Sequence, residues 1–197
     1  MDSISPSEAL LESVSAILDV LADRPATLGD GRLLCVDGSA GSGKTTLAET
    51  VAAHTGARVL HTDDLLAGWD GLPDLPETLA ALLEPLAHGG RGRAPRHDWV
   101  AGRFSGVVAL DPAPLLVVEG VGAGALPAAS RATLLVWVEA PHDLRMQRGI
   151  ERDGEAFAPH WERWAVAEAA HFAEQRTRER ADVVVDGTGR APALWQD

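Results

Sequence analysis

The stretch GSAGSGKT, residues 38–45, decides the fold of this chain. It matches the pattern G-x-x-x-x-G-K-[ST], the Walker A loop that binds nucleotide phosphates. Its glycines carry no Cβ atom, so the backbone can turn tightly and point successive N–H groups at one phosphate. Lys44 is predicted to contact the β- and γ-phosphates, and the hydroxyl of Thr45 is predicted to bind Mg²⁺.

The sequence on either side supports this motif. LLCVD, residues 33–37, is a short apolar run that predicts a buried strand. KTTLAETVAAHT follows the loop and predicts a helix that ends at Gly56, and the positive N-terminal end of such a helix would face a bound phosphate. Lys44 is the only lysine of the chain. A lysine at this one position fits a point-charge contact to phosphate, because arginine and lysine are not interchangeable there.

Composition bounds the class of protein. A chain of 197 residues with 46% hydrophobic residues predicts one globular domain, 1–197. The net charge of −12 argues against binding to nucleic acid or to an anionic membrane surface. Cys35 is the single cysteine, which excludes an internal disulfide. The sequence has no run of about 18 apolar residues and no signal-peptide pattern, so we predict a cytoplasmic protein.

Strand and helix patterns alternate along the chain. Short apolar runs predict strands at residues 33–37, 58–61, 115–119, 134–138 and 183–185. Helical patterns occur at residues 45–54, 77–87, 125–131, 143–152 and 161–180, and an amphipathic helix lies in the N-terminal segment 1–30. This alternation predicts an α/β fold in which helices cover both faces of a parallel sheet.

Acidic residues follow the predicted strands, at the sheet edge where α/β proteins bind ligands. Glu119 ends the apolar run LLVVE and matches a Walker B acid that holds Mg²⁺ directly or through water, although a strand that merely ends in Glu is the alternative. Asp63 is predicted to orient and deprotonate an acceptor hydroxyl close to the metal. Helix capping is the alternative for Asp63 and Asp64, and for Asp64 it has equal weight with a functional role. Asp37, Glu139 and Asp186 also lie at the ends of predicted strands, so the sequence places them at the rim of the same site.

Two aromatic segments are candidates for binding the second substrate. RHDWVAGR, residues 96–103, combines charged, imidazole and indole side chains that can grip a polar aromatic molecule by hydrogen bonding and stacking. AGWDGLPD, residues 67–74, offers Trp69 for the same purpose. The alternatives are that Trp99 covers the core from a surface hairpin and that Trp69 only packs.

The arginines Arg145, Arg148 and Arg152 have the spacing i, i+3 and i+7, which places them on one face of a predicted helix. Next to a phosphate site, this face suggests a lid that stabilises charge on the transferring group. A solvated face paired with neighbouring acidic residues is the alternative. The last long helix is predicted to bury one side, formed by Trp161, Trp164, His171 and Phe172, and we assign none of these residues a cofactor role.

Together these motifs make the chain after Leu33 resemble the uridine kinase and phosphoribulokinase family of P-loop kinases. The resemblance implies a three-layer fold of the P-loop NTPase type, with a five-stranded parallel sheet in the order 2-3-1-4-5 and a lid helix. It implies that residues 64–110 form an insertion on the acceptor side and that residues 143–158 form the lid. It also implies that residues 186–190 border the adenine.

The resemblance implies an ATP- and Mg²⁺-dependent kinase that phosphorylates a hydroxyl of a small molecule, a nucleoside or a related sugar-bearing metabolite. The predicted catalytic residues are Asp63, Lys44, Arg145 and Arg148, and the predicted metal ligands are Thr45, Glu119 and Asp63. The predicted nucleotide-binding residues are Gly38, Ser39, Ala40, Gly41, Ser42, Gly43, Lys44, Thr45, Thr46, Arg152 and Gly187. The predicted acceptor-binding residues are Asp64, Trp69, Arg96, His97, Asp98, Trp99 and Arg103.

The acceptor itself stays open at the level of sequence. Uridine kinases typically follow the catalytic Asp with a Ser-Phe-Tyr type of stretch, whereas this chain has Asp64-Leu65-Leu66 and no tyrosine. A kinase for an antibiotic hydroxyl would use the same residues, and an ATP-binding sensor without turnover is the alternative from another class. A GTPase is excluded because the N-K-x-D guanine motif is absent. A homo-oligomer is compatible with the sequence.

Overall fold

The computed structural model of the protein describes residues 7–154 and 158–196. The helices in these residues are α1 (Glu8–Asp23), α2 (Lys44–Thr55), α3 (Leu75–Ala87), α4 (His142–Asp153), α5 (Ala158–Gln175) and α6 (Thr177–Arg180). The strands are β1 (Arg32–Asp37), β2 (Arg58–His61), β3 (Gly92–Asp98), β4 (Arg103–Leu110), β5 (Leu115–Glu119), β6 (Leu134–Glu139), β7 (Val183–Asp186) and β8 (Leu194–Trp195). None of the helices in the described residues is long and apolar enough to cross a membrane.

The central sheet has the order β2-β5-β1-β6-β7-β8 within the described residues. The first five of these strands run parallel, and without the separate β3–β4 hairpin their order is the predicted 2-3-1-4-5. The predicted number of strands was wrong by one, since β8 pairs antiparallel with β7 at the sheet edge. A strand of two residues is too short to produce an alternating pattern in the sequence.

The three-layer arrangement follows from strands that are apolar on both faces. In β1, Leu33 and Cys35 belong to the core beneath α3, whereas Leu34 and Val36 belong to the core beneath α1 and α2. The glycine-rich loop leaves the end of this central strand and leads directly into α2. The buried position of β1 therefore places the loop at the middle of the C-terminal sheet edge, as the sequence predicted.

The acceptor-side insertion is more regular than its sequence suggests. Three short 3-10 helices lead into α3, and an antiparallel hairpin of β3 and β4 follows. The turn of the hairpin lies in the segment RHDWVAGR, and a role of this segment in substrate binding stays a prediction. Gly92 lets β3 approach α3 closely, because a Cβ atom at this position would lie 2.2 Å from the carbonyl oxygen of Leu82.

The sequence predicts one helix over 161–180, whereas the structure has two helices, α5 and α6, in this region. Arg176 adopts the left-handed conformation, with φ of 50°, and separates α5 from α6. Glycine is the usual residue at such a helix end. Because arginine holds this position, the sequence gives no signal that the helix ends here. The short helix predicted at 125–131 is a 3-10 helix at Ala128–Arg131. The predicted lid, 143–158, begins in α4, and its residues 155–157 lie outside the described residues.

Candidate active site

The Walker A loop is pressed against neighbouring backbone on two sides. Gly38 has a φ of 142°, and a Cβ atom there would lie 2.1 Å from the carbonyl oxygen of Val138. On the other side, a Cβ atom at Gly187 would lie 1.7 Å from the carbonyl oxygen of Ser42. Side chains at these glycines would push the loop away from the sheet. The predicted cofactor residue Gly187 therefore supports the loop from beneath.

Two polar side chains of the Walker A motif, Lys44 and Ser42, are buried. Lys44 begins α2, is buried, and donates from Nζ to the carbonyl oxygen of Ser39 at 2.9 Å. Burial lowers the pKa of the lysine, while the nearby carboxylates of Glu119 and Glu168 act to raise it. The buried hydroxyl of Ser42 has no hydrogen-bond partner among the described residues. A phosphate in the cleft would meet the Lys44 ammonium, so the loop fits a nucleotide. The Ser42 hydroxyl is enclosed, and Ser42 does not line the cleft in the described part of the chain.

Glu119 joins the end of β5 to the Walker A helix. Its Oε1 accepts a hydrogen bond from the Thr45 hydroxyl at 3.1 Å, which brings the two predicted metal ligands together. The same oxygen lies 2.6 Å from Nδ1 of His61, and this hydrogen bond raises the pKa of the imidazole. Sequence reasoning missed His61, although its place at the end of a strand beside β5 was a usable signal. Within the described residues no group of three or more His, Cys, Asp or Glu side chains could hold a metal ion.

Asp63 lies in a 3-10 turn, Thr62–Asp64, directly after β2. The turn is fixed by the buried hydroxyl of Thr62, which donates to the carbonyl oxygen of Val121 at 3.1 Å. The carboxyl group lines the cleft and stays accessible to solvent, but desolvation by the cleft walls raises its pKa, against the lowering effect of Lys44. Asp64 instead forms an ion pair with Arg96 at 2.9 Å, which attaches the hairpin to the turn.

The arginine face of α4 divides into two parts. Arg148 and Arg152 line the cleft, and Arg152 is close enough to Asp63 to act on its pKa. Arg145 is not among the residues that line the cleft in the described part of the chain. Its guanidinium donates to the carbonyl oxygens of Ala40 and Ala140, each at 3.2 Å. The structure thus places the first predicted lid arginine against the Walker A loop, and its catalytic role stays a prediction.

Aromatic side chains form the end of the cleft opposite the loop. The rings of Trp69 and His160 are stacked, with centroids 4.8 Å apart and planes 4° apart. Trp99 and Trp164 meet the ring of Trp69 edge-on, at 5.1 Å and 5.9 Å. All four line the cleft, and sequence reasoning had placed Trp164 only in the buried side of the last helix. His160 was also missed, because a lone histidine at the start of a helix gives no signal by itself.

The structure does not bring all predicted acceptor residues to the cleft. His97 is buried beneath the ring of Trp99, at a centroid distance of 5.0 Å. Asp98 caps the hairpin turn by accepting the N–H groups of Val100 and Ala101. Neither residue lines the cleft among the described residues, and the same is true of Arg103. In this structure they support the hairpin, and direct contact with an acceptor stays a prediction.

The cleft has a volume of about 850 Å³ and joins the loop to the aromatic end. The predicted site residues that line it are Ala40, Gly41, Gly43, Lys44, Thr45, Thr46, Asp63, Asp64, Trp69, Arg96, Trp99, Glu119, Arg148 and Arg152. A second cleft of about 440 Å³ lies at the ends of β6 and β7 and is lined in part by Asp186 and Thr188. That cleft borders the segment that the sequence assigned to adenine.

Asp37 connects the two loops on which the site is built. Its buried carboxylate accepts N–H groups from Gly38 at 2.7 Å, from Gly122 at 2.9 Å and from Gly124 at 2.8 Å. Burial raises the pKa of Asp37 to about 6, although these hydrogen bonds lower it. The sequence placed this residue on the rim of the site, whereas the structure places it beneath, as a link between the Walker A loop and the loop after β5.

Solved structures with the same fold are kinases by description. A candidate uridine kinase from Bacillus stearothermophilus matches with a TM-score of 0.63 and 22% sequence identity, over 90% of this chain and 99% of that chain. A candidate fructose transport system kinase from Silicibacter sp. TM1040 matches with a TM-score of 0.51 and 21% identity, over 85% and 94% of the two chains. No protein-family model and no curated protein sequence matches the chain. The protein has the fold of P-loop kinases, and the resemblance to uridine kinase-like proteins is confirmed at the level of the fold.

The link through Asp37 can be tested by its effect on stability. An Asp37→Asn variant offers one oxygen in place of two, so we expect the free energy of unfolding to fall by roughly 1–3 kcal/mol. Because the pKa is higher in the folded protein than in the unfolded chain, the stabilisation from Asp37 is complete at low pH and is lost as the pH rises through about 6.

The advantage of the wild type over Asp37→Asn should therefore shrink between about pH 4 and about pH 7, as measured by urea unfolding across this range. Asp30→Asn, in an exposed turn, is the control for a general effect of removing one negative charge. An advantage that grows with pH would show that the carboxylate is preferred in the fold, which contradicts the burial argument.

Proposed function

We propose that the protein transfers the terminal phosphoryl group of ATP, in the presence of Mg²⁺, to a hydroxyl group of a small molecule. The observation that carries this proposal is that one cleft joins the Walker A loop, with Lys44, to the carboxyl group of Asp63. A protein that only senses a nucleotide needs no general base at that place. A kinase needs one, because the acceptor hydroxyl must be oriented and must lose its proton.

The nucleotide would be held by the Walker A loop. The glycine cradle and the buried Lys44 ammonium suit the phosphates. Arg148, whose guanidinium donates to the loop carbonyl oxygens of Gly41 and Ser42, and Arg152 add positive charge to the cleft. Residues 186–190 would lie beside the base. The donor is a purine triphosphate, and ATP is proposed.

Mg²⁺ would be held by the Thr45 hydroxyl and the Glu119 carboxylate, with Asp63 close by. Oxygen donors of this kind suit Mg²⁺, which keeps several waters and binds few protein ligands. When bound, the ion would neutralise charge on the phosphate oxygens. The present hydrogen bond from His61 to Glu119 fixes the orientation of the carboxylate that the ion would use.

In the proposed reaction, the acceptor oxygen forms a bond to the terminal phosphorus and the bond from that phosphorus to the ADP oxygen breaks. Asp63 takes the proton of the hydroxyl group. Desolvation raises the pKa of this carboxyl group, which makes its ionised form a stronger base than an exposed aspartate. Lys44, Arg148 and Arg152 stabilise the charge on the transferring group.

The aromatic end of the cleft, with Trp69, Trp99, His160 and Trp164, favours an acceptor with a flat or apolar face next to its hydroxyl group. A nucleoside or a related sugar-bearing metabolite fits this description, and an antibiotic hydroxyl would use the same wall. The two neighbours named above are described as kinases of uridine and of a fructose transport system. Both descriptions support a small hydroxyl-bearing acceptor.

The charge and the cleft support the remaining expectations about partners. The net charge of −12 favours a small-molecule substrate over nucleic acid or an anionic membrane as partner. Location in the cytoplasm and a homo-oligomeric state stay predictions, which fractionation of cells and light scattering of the purified protein would test.

The first experiment incubates the purified protein with ATP, Mg²⁺ and a panel of nucleosides, sugars and hydroxyl-bearing metabolites, and measures ADP and product mass for each. We expect one class of acceptor to give ADP and a product heavier by one phosphoryl group. Tight ATP binding without turnover for any acceptor would instead favour the alternative of a sensor.

Asp63→Asn tests the role of the base against that of the nucleotide site. We expect turnover to fall roughly 10²- to 10⁴-fold, while the Kd for ATP stays within about threefold, because the phosphate contacts remain. Asp74→Asn is the matched control, since it removes an exposed carboxylate that does not line the cleft in the described part of the chain. Equal losses of turnover in both variants would show that Asp63 has no special role, and turnover kinetics with calorimetric ATP titration measure both quantities.

A further inference from the structure

A buried carboxylate lies against the loop that is proposed to bind a polyanion. Glu168, on α5, is only 4% exposed. Its Oε2 accepts the backbone N–H of Ala40, the third residue of the Walker A motif, at 2.6 Å. A negative charge in this position opposes phosphate binding by simple Coulomb repulsion. Its burial is also unfavourable unless partners compensate it. The position therefore needs a reason other than charge.

Arg145, on α4, provides the positive charge that compensates the buried carboxylate of Glu168. Its Nη1 lies 3.5 Å from Oε1 of Glu168 and donates to the carbonyl oxygen of Ala40 at 3.2 Å. The backbone groups of Ala40 are thus bound by side chains of opposite charge. Glu168 of α5 accepts its N–H group, and Arg145 of α4 donates to its carbonyl oxygen. The backbone of α4 also touches the loop, since a Cβ atom at Gly41 would lie 2.4 Å from the carbonyl oxygen of Arg145. The Walker A loop is clamped at its third and fourth residues.

The same face of α5 reaches the aromatic end of the cleft. His160, Trp164 and Glu168 are four residues apart in sequence, which places them one above the other on a helix. His160 and Trp164 line the cleft beside Trp69, and Glu168 binds the Walker A loop. One helix therefore sets the position of the loop relative to the aromatic wall. Glu168 also acts to keep Lys44 protonated against the effect of burial.

We propose that Glu168 is a positioning residue for nucleotide binding, which together with Arg145 holds the Ala40 peptide in the conformation that receives the phosphates. This inference rests on the proposed function only in taking the loop to be a nucleotide site. Glu168 itself does not line the cleft among the described residues, so it acts through the loop and not on the substrate.

The direction in which a substitution of Glu168 changes the affinity for nucleotide distinguishes a positioning role from a purely electrostatic one. If Glu168 acted only by direct repulsion of the phosphates, its removal would strengthen the binding of a polyanion. If it acted only by keeping Lys44 protonated, Glu168→Ala and Glu168→Gln would weaken binding alike. If it positions the loop, Glu168→Ala frees the Ala40 N–H and weakens binding. Glu168→Gln keeps an oxygen that can accept this N–H and removes the charge, so it should bind nucleotide as well as the wild type or more tightly.

The test is calorimetric titration of the full chain with Mg²⁺ and the non-hydrolysable analogue AMP-PNP, without any acceptor. We expect the Kd of Glu168→Ala to rise roughly 10- to 100-fold, which corresponds to the loss of a hydrogen bond to a charged group and of its ordering effect. We expect Glu168→Gln to restore binding. Glu162→Ala, an exposed position of the same helix, is the control and should leave the Kd unchanged.

Thermal unfolding of each variant shows whether it is folded. If the alanine variant does not fold, Glu168→Asp replaces it in the test, because this variant withdraws the carboxylate by one methylene and should also weaken binding. AMP-PNP binding by Glu168→Ala that equals or exceeds that of the wild type overturns this inference alone. A wild-type protein that binds no AMP-PNP overturns the proposed function, and this inference with it.

Discussion

The site depends on one buried carboxylate, that of Asp37. It accepts an N–H group from the Walker A loop and two from the loop after β5, and so fixes the distance between the phosphate-binding backbone and Glu119. A buried polar group of this kind is stable only when its hydrogen bonds are complete. The glycines that donate these bonds are therefore part of the same constraint, since Gly38 and Gly122 both have left-handed φ angles, of 142° and 84°.

Around this link the charges are arranged in compensated pairs. Glu119 binds Thr45 and His61, Glu168 binds Arg145, and Asp64 binds Arg96. The pairs explain how a chain with a net charge of −12 can build a site for a polyanion. Asp64, Glu119 and Glu168 are engaged by partners, which leaves Asp63 as the cleft carboxylate proposed for the acceptor. Lys44, Arg148 and Arg152 add positive charge to the cleft.

The acceptor-side insertion is joined to the site by few, well-defined contacts. Arg96 pairs with Asp64, and the indole N–H of Trp99 donates to the carbonyl oxygen of Asp63 at 3.0 Å. Trp69 then stacks on His160 of α5. The residues proposed to contact an acceptor are thereby attached both to the turn that carries Asp63 and to the helix that carries Glu168. The aromatic end of the cleft and the Walker A loop share the same supporting elements.

The sequence by itself determined the Walker A loop and the parallel strands, because these depend on local patterns: glycine spacing and apolar runs. The order of the strands came from the resemblance to the uridine kinase and phosphoribulokinase family. It also indicated Asp63 and Glu119, which follow strands that end at one sheet edge. Only the tertiary structure decided the partners of these residues. Asp37, His61 and Glu168 act across contacts between distant segments, and one sequence carries no record of such pairs. The left-handed turn at Arg176 and the short strand β8 were likewise set by packing, which overrides weak local preferences.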